Sequence, residues 1–307
     1  MRTRKIGSLE VSVVGLGTNN FGGRIDYEAS EAVVHAALDA GVTFFDTADI
    51  YGGTHSEEFL GRALGARRDE VVVATKFGMQ VDEARKGAKP DYVKRALEDS
   101  LRRLHTDRVD LYQLHAPDPN TPIADTLGAL GECISAGKVH EIGCSNFTVE
   151  QLREAEAAAT EGSARFVSVQ NEFSLLRRRA ERDVIPECER AGLSFVPYFP
   201  LASGVLTGKY RRGQAPPAGT RLSGVKQNEG PLSDTQLAVV ERLTEFAASR
   251  NRTMVELAIA WILAHPPVAS VIAGATSPEQ VRANVAAADW VLDAAQMADI
   301  DAQAPVK

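Results

Sequence analysis

Residues 71–76 read VVVATK and residues 109–115 read VDLYQLH, two short apolar runs that each end abruptly in an ionisable side chain, Lys76 and His115. Runs of that kind, lacking strict apolar–polar alternation, fit strands buried on both faces of a parallel sheet. Six more occur, at Val14–Thr18, Val42–Asp46, Ile142–Asn146, Val167–Gln170, Leu193–Tyr198 and Val271–Gly274. Their ends fall at 18, 46, 76, 115, 146, 170, 198 and 274, so the first seven follow one another at 24 to 39 residues. That spacing holds a strand, a loop and a helix. Glu28–Ala40 carries Ala32, Val33, Ala36 and Ala37 on one helical face and stops at Gly41, and Asp91–Leu104 stripes Val93, Ala96, Leu97 and Leu101. Thr148 and Ser277 stand at N-cap positions, the latter followed by Pro278.

Eight parallel strands alternating with helices predict a closed (β/α)8 TIM barrel, since an open sheet of that size tends to split. Ahead of it, Thr3–Ile6 and Val11–Val13 flank Gly7-Ser8, a hairpin placed to cap the barrel bottom. The long last interval contains Thr207–Gly230, rich in Gly, Pro and Arg and too long for an ordinary connection, hence a candidate lid. Helices over Ser233–Ser249 and Thr253–His265 fill the remainder. No internal boundary interrupts the pattern, so residues 1–307 read as one barrel domain.

Composition narrows the class. Hydrophobic residues are 44% and charged residues 24%, which fits a globular chain rather than a disordered one. A net charge of −7 gives no electrostatic footprint for nucleic acid or an anionic membrane. Cys133, Cys144 and Cys188 are odd in number and far apart, which suits neither a disulfide framework nor a metal site and points to a reducing cytoplasm. Met1–Glu10 is charged with no apolar run behind it, so no secretory leader is expected, and no stretch approaches the ~20 apolar residues of a membrane span. Oligomeric state is not legible.

In such barrels the strand C-termini carry the chemistry. Those ends supply Asp46, Lys76, His115, Asn146, Gln170 and Tyr198, with Tyr51 on the loop after Asp46. Each is ordinary alone: a carboxylate can cap a helix, a lysine can snorkel, an aromatic can pack. Together they place ionisable groups at the ends of buried strands, where charges need partners. Reduction of a carbonyl by hydride creates an alkoxide that needs a proton. Tyrosine can give it, but its ordinary pKa of ~10 suits neutral pH poorly. A neighbouring Lys⁺ lowers that pKa and a carboxylate fixes the lysine. This assigns Tyr51 as acid, Lys76 as its modulator, Asp46 as anchor and His115 as the group that orients the carbonyl. Lys76 as a Schiff-base nucleophile of an aldolase is a second chemistry open to the same residues.

The segments FFDTADIYGGTHSEEFLGRAL (44–64), VVVATKFG (71–78), VDLYQLHAPDPNTPIADTL (109–127) and EIGCSNF (141–147) resemble the aldo-keto reductase superfamily. VQNEFSLL (169–176), VPYFPLASGVLTGKY (196–210) and VIAGATSPEQVRANVAA (271–287) match its cofactor-side segments, in order over essentially the whole chain. The resemblance implies a barrel that reduces aldehydes and ketones with NADPH and no Rossmann domain, its tetrad falling on Asp46, Tyr51, Lys76 and His115. On that basis Gly15-Leu16-Gly17 is a tight turn leaving the first strand rather than a dinucleotide fingerprint.

The resemblance also implies the cofactor contacts. Gly17, Thr18, Asn19 and Asp46 lie at the first two strand ends, Ser145 and Asn146 hold the nicotinamide carboxamide with Gln170 beside them, and Tyr198 stacks on its ring. Phe199, Pro200, Leu201, Ala202 and Ser203 wrap the pyrophosphate, with Lys209 adding charge. Gly274, Thr276, Ser277, Gln280 and Asn284 stand at a helix start suited to phosphate. Many relatives carry arginine or lysine at Thr276 or Ser277; here both are hydroxyls, so NADPH is expected with NADH as a second admissible cofactor. Potassium-channel β subunits of the same superfamily use a small hydroxyl there, which opens the alternative of a redox-sensing, cofactor-holding module. The substrate pocket is expected from Thr18–Gly23, the Phe77–Pro90 loop and the 207–230 lid, with Phe21, Phe77, Met79 and Phe147 suggesting an apolar or aromatic carbonyl compound. No metal is implied.

Overall fold

The computed structural model describes residues 1–159, 164–225 and 232–305; the last five residues of the expected 207–230 lid lie outside them. Eight short strands form one parallel sheet: β3 (Val14–Gly17), β4 (Phe44–Asp46), β5 (Val72–Phe77), β6 (Val109–Leu114), β7 (Val139–Ser145), β8 (Ser168–Gln170), β9 (Ser194–Phe195) and β10 (Val271–Gly274). β10 pairs with β3, and the chain order runs unbroken from β3 to β9. The cylinder closes by bonds from the Phe195 amide to Pro267 O (2.7 Å), the Ala269 amide to Phe195 O (2.9 Å) and the Ile272 amide to Pro197 O (3.3 Å). β9 is two residues long because Pro197 lacks an amide hydrogen. The extended path nevertheless reaches Tyr198, whose amide bonds Asn171 O at 3.2 Å.

Period-two alternation sorts each strand into an inward and an outward set. Inward Phe44, Ala74, Leu111, Val196, Ala269 and Ile272 fill the lower barrel. Completing that layer are Ile6 and Val11, fully buried residues of the antiparallel hairpin β1 (Thr3–Ile6) and β2 (Leu9–Ser12). The hairpin therefore plugs the barrel bottom, as its apolar residues predict. Two glycines make room for the large members of the layer. A Cβ on Gly15 would lie 2.8 Å from Phe44 Cδ1, and one on Gly17 2.7 Å from Ile272 Cγ2. Gly15-Leu16-Gly17 is thus strand, not the tight turn expected from the sequence; its glycines serve close packing inside the sheet.

The outer ring consists of α1 (Tyr27–Asp39), α2 (His55–Leu64), α3 (Pro90–Leu104), α4 (Ile123–Ser135), α5 (Val149–Ala158) and α6 (Val184–Ala191), then α7 (Asp234–Ala248), α8 (Met254–Leu263), α9 (Pro278–Ala286) and α10 (Ala294–Gln303). Local chemistry sets their ends. Thr148 and Gln151 form a reciprocal capping box on α5, and Ser277 caps α9 with Pro278 in its first turn. α3 buries Val93, Ala96, Leu97 and Leu101 on one stripe, as its spacing predicts. α8 is buried from Glu256 to Leu263, Trp261 included, so it is a core helix. Among the described residues no helix is long and apolar enough to cross a membrane.

Candidate active site

Asp46 ends β4, Lys76 lies one residue from the end of β5, and His115 follows β6, all on inward positions of neighbouring strands. Lys76 is fully buried. Its ammonium donates to Asp46 Oδ1 (2.5 Å), to Thr47 O (2.8 Å) and to the Tyr51 hydroxyl (3.3 Å), one bond for each proton. The other Asp46 oxygen accepts from Gln170 Nε2 (2.9 Å) and Gln113 Nε2 (3.2 Å). A buried ion pair survives only with such supplementary bonds. Tyr51 opens a single turn, Tyr51–Thr54, that folds it back over the lysine. Gly52 in that turn has φ 58°, and a Cβ there would lie 2.1 Å from Phe21 O, so only glycine fits. The Tyr51 and His115 rings meet edge to face at 5.7 Å.

Electrostatics follow from this geometry. Burial pushes the Tyr51 phenol up; Lys76 opposes that shift without overcoming it. Burial alone would lower Lys76, but Asp46, then Tyr51, hold its pKa above the ordinary value, so it stays a cation. His115 is driven down to about 3 by burial and by Lys76, leaving a neutral imidazole.

Asp46, Tyr51 and His115 floor a cavity of about 1000 Å³. Gly17, Thr18, Asn19, Ser145, Asn146, Gln170, Tyr198, Phe199, Pro200, Leu201, Ser203, Lys209, Gly274, Thr276, Gln280 and Asn284 line it, together with Asp46, Tyr51 and His115. Three expected residues do not reach it. Lys76 lies beneath Tyr51. Ala202 is buried, and the Ser277 hydroxyl is spent capping the Gln280 amide of α9 at 3.5 Å. Asn146, with φ 62°, donates to His115 O (2.9 Å) and accepts from the Tyr198 hydroxyl (2.8 Å). Its left-handed backbone turns the chain from strand into rim.

Across the cavity the backbone bends repeatedly. Phe199, Ala202, Ser203 and Gly204 have φ of 54°, 45°, 59° and 91°. The Ala202 and Gly204 amides bond back to Phe199 O (2.9 Å) and Leu201 O (2.8 Å), so these left-handed residues fold the segment tightly on itself beside the cavity. Lys209, Arg24 and Arg221 line the same space. Neither arginine has a carboxylate partner among the described residues; burial, then the nearby Arg24, lowers the Arg221 pKa. The Arg221 guanidinium stacks on the Phe199 ring at 5.0 Å. Three cations and the start of α9 form a donor set that fits a dinucleotide's phosphates.

The aromatic lining expected for substrate is not there. Phe21, Phe77 and Phe147 are buried in the core, Phe77 stacking on Tyr112 at 4.6 Å, and only Met79 of the four faces the cavity. Their neighbouring residues made them look like pocket residues, but outward strand parity and loop packing turn them away. Asn20 and Arg221 line the cavity from within the expected Thr18–Gly23 and 207–230 segments, whereas Gln113 and Arg24 lie outside the sequence expectation. Gln113 carried a signal, standing two residues before His115 and so on the same strand face. Arg24 and Arg221 sit in loops whose paths no periodicity fixes.

The fold is a (β/α)8 barrel whose rim gathers a tyrosine, a lysine, an aspartate and a histidine. Residues 13–304 match the model of the aldo/keto reductase family, and the chain belongs to that family. It is similar to aldo-keto reductase yakc [NADP(+)] of Schizosaccharomyces pombe, 36% identical over 271 residues, 85% of this chain and 79% of the relative. A probable voltage-gated potassium channel subunit beta of Oryza sativa subsp. japonica is 36% identical over 282 residues, 88% and 85% of the two chains. The solved structure of glycerol dehydrogenase AKR11B4 from Gluconobacter oxydans superimposes with a TM-score of 0.85 at 30% identity, covering 99% of this chain and 97% of the other. The protein is accordingly an aldo-keto reductase, an oxidoreductase.

Proposed function

We propose that the protein reduces aldehyde or ketone carbonyls to alcohols with NADPH, Tyr51 giving the proton. The observation that carries this reading is Lys76, bonded at once to Asp46 (2.5 Å) and to the Tyr51 hydroxyl (3.3 Å) beneath a neutral His115. When bound, the cofactor supplies the hydride. The substrate carbonyl oxygen lies between the Tyr51 hydroxyl and the His115 ring, which as a neutral imidazole can donate an N–H without competing as an acid. As negative charge develops on that oxygen, Tyr51 transfers its proton and Lys76 stabilises the phenolate left behind. Asp46 keeps the lysine charged and aimed, with Gln113 and Gln170 holding the carboxylate. A Schiff-base role for Lys76 would need a neutral amine, against the direction of its pKa.

For the cofactor, Ser145, Asn146 and Tyr198 surround the nicotinamide end, while Ser203, Lys209, Arg24 and Arg221 take the diphosphate. The 2′-phosphate meets Thr276, Gln280 and the start of α9. The NADP(+) in the name of the Schizosaccharomyces pombe relative supports this choice. Likeness to a channel β subunit supports a second reading, a cofactor-retaining module. Tyr51→Phe tests both. Turnover with a panel of aldehydes and ketones should fall ~10²–10⁴-fold while NADPH binding stays within a factor of about two. A mutant keeping more than about a tenth of the wild-type single-turnover rate would remove Tyr51 as the donor. Wild-type protein that retains NADPH but turns over no carbonyl would favour the module.

A further inference from the structure

Asp49 lies on the same loop as Asp46 and Tyr51 but outside the cavity lining, and only 3% of it is exposed. Its amide donates to Lys76 O at 3.1 Å, so its backbone is fixed to that of the lysine. Its Oδ1 has no hydrogen-bond partner among the described residues. The nearby cations, Arg103 and Lys76, oppose the rise of its pKa but are bonded to other groups. Lys76 is bonded to Asp46 and Tyr51. From α3, Arg103 pairs with Glu57 Oε2 at 2.6 Å, and the other Glu57 oxygen accepts from Thr75 Oγ1 at 2.5 Å. Glu57, on α2, is itself an anion facing Asp49. The remaining titratable neighbours are Tyr92 on α3, Tyr112 on β6 and Tyr51; burial raises all three phenols, and a charge on Asp49 adds to that rise, least for Tyr51. A carboxyl with one oxygen unbonded, an anion beside it and no free cation resides there most stably as the neutral acid.

We propose that Asp49 is a positioning residue that stores a proton behind the tetrad, and that losing this proton weakens Tyr51 as an acid and limits carbonyl reduction above neutral pH. The proposal rests on the reading of Tyr51 as proton donor. With Asp49 neutral, Tyr51 faces one anion, Asp46, balanced by Lys76. Ionised, Asp49 adds a second negative charge that holds the phenolic proton more tightly. Burial, then Glu57, pushes the Asp49 pKa up to about 7, within the working range of most enzymes.

The test is the pH dependence of the single-turnover rate from about pH 6 to pH 8.5 in wild type, Asp49→Asn and Asp49→Glu. Wild type should slow about two- to three-fold across neutrality, the cost of a modestly weaker acid under Brønsted behaviour. Asp49→Asn should be nearly level over that range, and Asp49→Glu should restore a fall. A fourth protein, Glu57→Gln, removes the neighbouring anion and should move the fall to lower pH. Infrared difference spectra between acid and alkaline samples should show a protonated carboxyl band in wild type that Asp49→Asn lacks. The spectra need no turnover, so an inactive wild type would count against the tetrad reading while the band still decides where the proton sits. Identical pH profiles in wild type and Asp49→Asn, or no carboxyl band in wild type, would overturn the proposal.

Discussion

The two walls of the cavity are built on opposite rules. On the wall formed by β4 to β6, Lys76 and Asp46 spend their bonding capacity on protein groups, and a fully buried cation is compensated before any ligand arrives. On the facing wall, Arg221 and Arg24 approach each other without a carboxylate among the described residues, and the backbone between Phe199 and Gly204 adopts four left-handed conformations. The first wall is preorganised, as a group that must act on a transition state requires. The second carries unbalanced positive charge and strained backbone, features that an anionic ligand relieves. On the proposed reading, reaction and binding are thereby separated in space, and single changes should damage one while sparing the other.

The largest effect is expected from splitting the ion pair. Lys76→Met leaves Asp46 buried without its cation, and loss of one partner of such a pair costs about 3–5 kcal/mol. Urea unfolding should show that loss together with loss of turnover. Because Gln113 and Gln170 still hold Asp46 Oδ2, adding Asp46→Asn should recover part of the stability. Strict additivity of the two changes would mean that the pair is not coupled.

A smaller effect belongs to the facing wall. Arg221→Ala removes one charge-assisted phosphate contact, worth roughly 1.5–3 kcal/mol, so NADPH should bind about ten- to a hundred-fold more weakly. Folding stability should be unaffected or slightly improved, since the substitution relieves repulsion from Arg24. Unchanged affinity by fluorescence titration would show that the stacked guanidinium does not meet the cofactor.

Smallest is the change in cofactor choice. Thr276 lines the cavity, whereas the Ser277 hydroxyl is turned to its helix. Thr276→Arg should therefore tighten NADPH by about tenfold and leave NADH nearly as it was, because only NADPH presents a phosphate for a bidentate pair. Equal tightening of both would place the new arginine on the diphosphate instead.

This division also governs what could be read from the chain. Lys76 and His115 were legible because they terminate buried strands, where an ionisable residue breaks an apolar run. Gln113 obeys the same period-two rule but was passed over, since an amide inside a strand draws less notice than a charge. The aromatic pocket failed for a related reason: Phe21, Phe77 and Phe147 stand beside rim residues in sequence yet pack into the core. Nothing local distinguishes Arg221, whose position depends on how a Gly- and Pro-rich loop crosses the barrel mouth. Ser277 is both an N-cap and a cofactor contact by sequence, and the cap withdraws its hydroxyl from the cavity.

The most direct test of the separation between walls is one paired measurement on Tyr51→Phe and Arg221→Ala: the NADPH dissociation constant and, at saturating NADPH, the single-turnover rate with the best aldehyde or ketone. Tyr51→Phe should lose the rate by ~10²–10⁴-fold with its dissociation constant preserved. Arg221→Ala should weaken binding about ten- to a hundred-fold with its saturated rate within a factor of about three of wild type. Loss of both quantities in both variants would contradict the account, because the two walls would then act as one unit.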